Sequence, residues 1–172
     1  MKGEKTRSEK PKFRHRCYMS PKYVKRLRRE AMERLGVKLL TEDRVEDVLL
    51  EDGTRVYAMM GKPVAFRKEG ILLPTIYAVL DGLIDPPSVV VDRGAVPAVV
   101  RGADVMIPGI VRMDERIEKG NVVVVTEETY GRPIAIGIAL LDHHEMDKEE
   151  RGRAFQVVHH VGDKIWKIGE WL

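Results

Sequence analysis

The sequence contains a single cysteine, Cys17, among 172 residues. No disulfide can form within the chain, and no cysteine-based zinc knuckle exists. A reducing compartment fits that usage. Aromatic residues are scarce, at 6%. No apolar run approaches the roughly 18–20 residues that cross a bilayer. The charged N-terminus has no apolar signal-peptide core, so a cytoplasmic protein is expected. Phosphate-loop spacing is also missing. Gly94, Gly102 and Gly109 fit neither the dinucleotide nor the P-loop pattern. No βαβ succession supports a Rossmann fold, and no internal repeat is evident.

What the chain does have is charge, divided into two blocks. Lys plus Arg number 30 against 27 Asp plus Glu, a net of only +3. Residues 1–38 hold 14 basic and 4 acidic residues, a net of +10, while the remainder carries −7. Such a basic block is the electrostatic footprint of a polyanion partner. The helix inside it has no bulky apolar face of the kind that inserts into lipid, so no membrane partner is expected.

The chain divides into three parts. Residues 1–19 read as a basic flexible tail. Residues 20–87 read as a small α+β domain. Ser20 and Pro21 form a helix start, and Val24, Leu27, Ala31 and Leu35 give the following helix one apolar face before Gly36 ends it. Strands are expected at 45–50, 55–60, 63–67 and 71–73, then a short helix at 74–80 with Ile76, Val79 and Leu80 inward. The Asp85–Pro86–Pro87 junction opens the third part, residues 88–172. There a short helix at 95–101 and strands at 88–91, 105–107, 110–113, 121–126, 133–140, 154–160 and 164–168 predict a barrel-like β domain. The acidic stretch 142–151 reads as a connection. The fold class is α+β.

Two stretches carry a resemblance. Val91–Asp92–Arg93–Gly94–Ala95–Val96, continuing through Arg101–Gly102–Ala103–Asp104–Val105–Met106 to Pro108–Gly109, resembles the opening of a PUA domain. Residues 134–140, with Gly137 among small and apolar neighbours, look like its central strand. Gly162–Asp163 with Ile165–Trp166 looks like its closing hairpin. Leu73–Pro74–Thr75–Ile76 ahead of the PUA opening is similar to the arrangement in the malignant T-cell-amplified sequence and translation-machinery-associated protein family. The chain looks like an archaeal relative. The resemblance covers roughly residues 20–170 and is strongest after Pro74. It implies a small α+β domain joined to an RNA-binding pseudo-barrel. It also implies a role on the small ribosomal subunit with an initiation-factor-like protein partner.

The expected RNA contacts follow from that resemblance and from the charges. Carried over from PUA domains, the surface comprises Arg93, Gly94, Arg101, Gly102 and Asp104 with the neighbourhood of Met106–Gly109. Glycines there allow close backbone approach to a phosphate or base edge. The basic block adds Lys12, Arg14, Arg16, Lys22, Lys25, Arg26 and Arg29. Phe13, Tyr18 and Tyr23 are interleaved with these charges and can stack on unpaired bases. The partner is structured RNA, either tRNA or small-subunit ribosomal RNA.

The bland reading stands beside this one: turn glycines, solvated arginines and a polar helix face. His143–His144 and His159–His160 invite a metal hypothesis, but alternation in a strand lets only one of the latter pair join a site. A solvent-exposed loop accounts for the first pair better, and a core role for His159. No metal or cofactor is expected. No nucleophile, base and orienting group are placed together, and no catalytic domain is present, so the protein reads as non-catalytic. Two alternatives stay open. One is an accessory RNA-targeting subunit for a modification enzyme. The other is a protein-interaction module using the 45–73 sheet.

Overall fold

The computed structural model describes residues 10–172. The part of the expected tail at 1–9 lies outside them. Eleven strands and five helices are formed by the described residues.

The first helix, α1 (Pro21–Leu35), starts as the sequence predicts, with Pro21 in its first turn. Ser20 has the extended N-cap backbone, but its side chain makes no cap hydrogen bond. The helix therefore relies on the preset φ of Pro21. Val24, Leu27 and Ala31 are buried along one face. Gly36 ends the helix at φ 65°, donating its N–H to the Met32 carbonyl.

The first sheet has the order β1-β2-β3-β4-β5 and is antiparallel throughout. Its strands are β1 (Phe13–Tyr18), β2 (Glu46–Leu50), β3 (Arg55–Met59), β4 (Lys62–Lys68) and β5 (Ile71–Pro74). Strand β1 falls where a mobile tail was expected. Its residues are almost all exposed, so no apolar alternation announces it. Pairing with β2 creates it, with Cys17 opposite Asp47 and Tyr18 opposite Glu46.

Both faces of this sheet are covered. Val24, Leu27 and Ala31 pack with Tyr57, Met59 and Leu72 on one side. On the other, Val48, Val56, Phe66 and Leu73 pack with Val124, Ile136, Val158 and Ile168 from the C-terminal half. A bulge in β4 breaks the alternation, so Val64 and Ala65 both reach the α1 side. Both faces of the 45–73 sheet thus carry packed apolar residues.

The short helix α2 (Ile76–Leu80) follows β5 directly. Thr75 caps it and explains the Leu73–Pro74–Thr75–Ile76 motif. Its Oγ1 accepts from the Ala78 N–H at 3.2 Å and donates to the Pro63 carbonyl at 2.7 Å. Ile76 is buried as expected, but Leu80 is 52% exposed because the helix ends at that residue.

The second sheet has the order β7-β11-β10-β9-β6-β8. Its members are β6 (Ser88–Val91), β7 (Val105–Met106), β8 (Ile110–Met113), β9 (Val122–Glu127), β10 (Pro133–Ala139) and β11 (Arg153–His160). Pairing of β6 with β9 is parallel; the other pairs are antiparallel. Helix α3 (Val96–Val99) covers one end. The Val122–Val125 run serves two cores: Val123 and Val125 join Phe155 and Val91 inside the second sheet, and Val124 faces the first. A strand buried on both faces reads as a continuous apolar run.

Two expected elements differ. Residues 142–151 contain α4 (His143–Lys148), closed by a capping box between Asp142 and Glu145. Residues 164–168 form α5 (Lys164–Ile168) instead of a closing strand. Asp163 is the reason. Its carboxylate accepts from the Trp166 N–H at 2.8 Å and turns the chain into a helix. The two halves are then clamped. Tyr77 of α2 stacks on Trp166 at 4.8 Å between ring centroids and donates its hydroxyl to the Trp166 carbonyl at 2.8 Å. Lys164 reaches Asp52 of the β2–β3 turn at 2.6 Å.

Candidate nucleic-acid interface

The predicted PUA turn follows β6. Asp92 holds it at both ends: its N–H donates to the Gly109 carbonyl at 2.9 Å, and its Oδ1 accepts from the Ala95 N–H at 2.8 Å. Arg93 and Gly94 lie at the exposed tip. The N–H of Arg93 is taken by Glu128 at 3.1 Å. This bond brings the β9–β10 hairpin beside the turn. There the Glu127 carboxylate accepts from the N–H groups of Thr129, Tyr130 and Arg132. Those amides, that of Arg132 foremost, hold its carboxyl below the usual range. The rigid hairpin displays Tyr130, 76% exposed, with the Arg132 guanidinium 5.0 Å from its ring centroid. Sequence reasoning missed Tyr130 and Arg132. Their signal was an aromatic residue in a Glu–Glu–Thr–Tyr–Gly–Arg turn.

Arg101 and Gly102 form the exposed end of the α3 segment. Gly102 has φ +93°, and an added Cβ would lie 3.3 Å from His160 Nε2. Only glycine meets both conditions without strain. His160 Nδ1 faces the Val161 carbonyl at 2.9 Å. A carbonyl can only accept, so Nδ1 donates to it and Nε2 is left beside Gly102. His160 was weighed for metal binding; the structure puts it in this surface. Among the described residues, no three His, Cys, Asp or Glu side chains converge on a common point for a metal ion.

Asp104 is engaged within the protein. Its Oδ2 accepts from Arg153 Nε at 2.9 Å, and its Oδ1 accepts from the Val157 N–H at 3.0 Å. Both oxygens fasten the start of β7 to β11. The N–H groups of Arg101, Gly102 and Ala103 also have internal acceptors.

His159 is fully buried, with Nδ1 2.8 Å from Asp163 Oδ2 and no partner for Nε2. Its ring meets Phe66 of the first sheet edge-on at 5.6 Å. Burial pushes the Asp163 carboxyl up. The His159 hydrogen bond and charge, with the Trp166 and His160 amides, outweigh that and leave it below its ordinary value.

The basic block separates into free and committed charges. Lys12, Arg14, Lys22, Lys25, Arg26 and Arg29 are exposed. Arg16 pairs with Glu46 across the β1–β2 ladder at 2.5 Å. Arg28 turns inward to the Leu40, Thr41 and Glu42 carbonyls and anchors the loop after α1. The free charges belong to the first half of the molecule and Arg93 and Arg101 to the second. No hydrogen bond or ion pair joins the two sets among the described residues.

The PUA domain pattern matches residues 87–161. The chain is 37% identical over 159 residues to an uncharacterized protein of Methanocaldococcus jannaschii, covering 91% of this chain and 98% of that one. It is 30% identical to translation machinery-associated protein 20 of Saccharomyces cerevisiae, covering 74% of each. The chain belongs to this PUA-domain family. Its fold agrees with that of a conserved PUA domain protein from Thermoplasma acidophilum, with a TM-score of 0.72 at 33% identity, over 89% of this chain and 98% of that one.

Among the described residues, no helix is long and apolar enough to cross a membrane.

Proposed function

We propose that the protein is a non-catalytic cytoplasmic RNA-binding factor of the translation apparatus, gripping tRNA or small-subunit ribosomal RNA. The observation that carries this reading is the surface at one end of the second sheet. Arg93, Gly94, Tyr130 and Arg132 are exposed together there, on a turn and a hairpin joined by the Arg93–Glu128 hydrogen bond. Arginine with an exposed aromatic ring suits phosphate contact plus stacking on an unpaired base. Arg101, Gly102 and His160 add a close-approach edge. The free charges of β1 and α1 supply a second, sequence-independent contact. Support for a translational role comes from the yeast relative, which is named as translation machinery-associated. A protein partner of the initiation-factor kind belongs to the same proposal.

The test is binding to tRNA and to purified small subunits across a salt series. Each phosphate contact contributes about 0.7–0.9 to the slope of log K against log salt. Arg93→Glu with Arg101→Glu is expected to flatten that slope by about 1.4–1.8 if each arginine meets one phosphate. Arg26→Glu with Arg29→Glu tests the basic track in the same way. An unchanged slope in both variants refutes the assignment. Deleting residues 1–17 is a poorer test, because it removes most of β1.

A further inference from the structure

A pocket of about 500 Å³ opens between β1, the start of α1 and the surface of β2, β3 and β4. That size is in the range of small-ligand sites. Two tyrosines stand among its lining residues, Tyr18 at 58% exposure and Tyr23 at 57%. Tyr18 also lines a neighbouring hollow, where Arg44 covers its ring at 4.4 Å from the centroid. Arg44 does not line the first pocket. A flat aromatic wall, backed by a cation, is a stacking platform for a nucleobase.

One inner cation is fixed in advance. Arg67 is held by both Glu30 oxygens, at 2.8 and 2.6 Å, and by the Tyr57 hydroxyl at 3.0 Å. Asp47 pairs through Oδ2 with Arg55. Each of these carboxylates is thus neutralised by its own arginine. Arg26 also lines the pocket and, among the described residues, has no ion-pair partner. It leaves the site with a free positive charge. Asp47 Oδ1 is buried with no donor. An unsatisfied buried acceptor is costly, so the pocket wall contains an unmet demand for an N–H group.

We propose that this pocket receives one unstacked base of a bound single-stranded RNA segment and favours bases that carry an exocyclic amino group. The base stacks on Tyr18 or Tyr23, its phosphate lies on Arg26, and its amino group donates to Asp47 once the half-exposed Arg55 side chain turns aside. This rests on the reading of the protein as an RNA binder and adds a base-selective site outside the PUA domain. One unpaired base held here makes recognition of a single-stranded segment a property of the first half of the chain.

The test uses a short single-stranded RNA with 2-aminopurine at one position and fluorescein at its 3′ end, followed at once by the emission of the first and the anisotropy of the second. Stacking on a tyrosine is expected to lower the emission at least twofold. Tyr18→Ala with Tyr23→Ala, both at exposed positions, is expected to restore the emission and weaken binding at least fivefold. The corresponding Phe variants keep the drop. Replacing 2-aminopurine by purine, which lacks the amino group, weakens binding to the wild type but not to Asp47→Ala. Bound RNA with unchanged emission overturns the pocket and leaves the RNA-binding reading intact. A drop that persists in the double Ala variant also overturns the pocket. No change in anisotropy overturns both.

Discussion

Replacing Gly169 by alanine tests whether the two halves of the molecule are locked together. Gly169 ends α5 at φ −60° and ψ −20°, an ordinary helical conformation. On backbone grounds alone, Gly→Ala there stabilises by about 0.4–1 kcal/mol through the unfolded chain. The surroundings reverse the sign. A Cβ at 169 would lie 2.5 Å from Tyr77 Cζ and Oη and 2.7 Å from Cε2. Tyr77 has to move. Its hydroxyl bond to the Trp166 carbonyl is worth about 0.5–1.5 kcal/mol. Its stack on Trp166 is worth a similar amount. Overpacking of this kind costs about 1–3 kcal/mol. The expected net loss is about 2 kcal/mol, which lowers Tm by roughly 4–8 °C in a chain of this length. Thermal and denaturant unfolding of the wild type, Gly169→Ala, Tyr77→Ala and the double variant measure it. With the ring removed, Gly169→Ala becomes neutral or stabilising, giving a coupling energy of about 1–3 kcal/mol. A rise in Tm for the single variant, or equal losses in both backgrounds, refutes the clamp.

Thr75→Val keeps the shape but strands the Pro63 carbonyl and the Ala78 N–H in the core. Chemical denaturation is expected to show a loss of about 1–3 kcal/mol with the m-value unchanged. Acid unfolding reports the depressed carboxylates. The Lys164 ammonium, then the Thr54 amide, holds Asp52 at about 2, and Asp163 is also lowered. Such groups stabilise the fold above the ordinary carboxylate range, and that contribution is lost as pH falls through their folded values. Asp163→Asn is therefore expected to be less stable at pH 7 and to show a flatter stability profile between pH 5 and 2.

How far the sequence disclosed the structure depends on where each signal resides. Local chemistry was legible. Pro21 and Gly36 bound α1, and most strand positions stand where apolar runs meet glycine turns. Asp142 and Asp163 were equally local signals, yet the apolar spacing around Ile165 and Trp166 reads as a strand unless the cap is given priority. Strand β1 was not legible, because its basic residues carry no period and its pairing partner lies some thirty residues away. The candidate site divides in the same way. The turns at Gly94 and Gly102 followed from a resemblance that spans contiguous residues. The commitment of Asp104 to Arg153 spans 49 residues, and that of Arg16 to Glu46 spans 30, so nothing nearby could distinguish them from free charges.

The basic residues Lys12, just before β1, and Arg14, within it, have a second physical role that competes with RNA binding. This strand is the edge of the first sheet, and exposed edges invite pairing with another chain. Charges at Lys12 and Arg14 oppose that pairing whatever else they do. The two roles differ in what they require of the charge. Guarding an edge needs charge of either sign, while holding phosphate needs positive charge. Lys12→Glu with Arg14→Glu keeps the edge charged and reverses its attraction for RNA. Light scattering is expected to show an unchanged mass, and the affinity for tRNA to fall with a shallower salt slope. Lys12→Thr with Arg14→Thr removes both functions, so it weakens RNA binding and also promotes association. If the Glu variant binds tRNA as the wild type does, these charges protect the strand edge alone. The electrostatic share of affinity then passes to α1 and to Arg93 and Arg101, and the excess of +10 in the first 38 residues overstates what RNA can use.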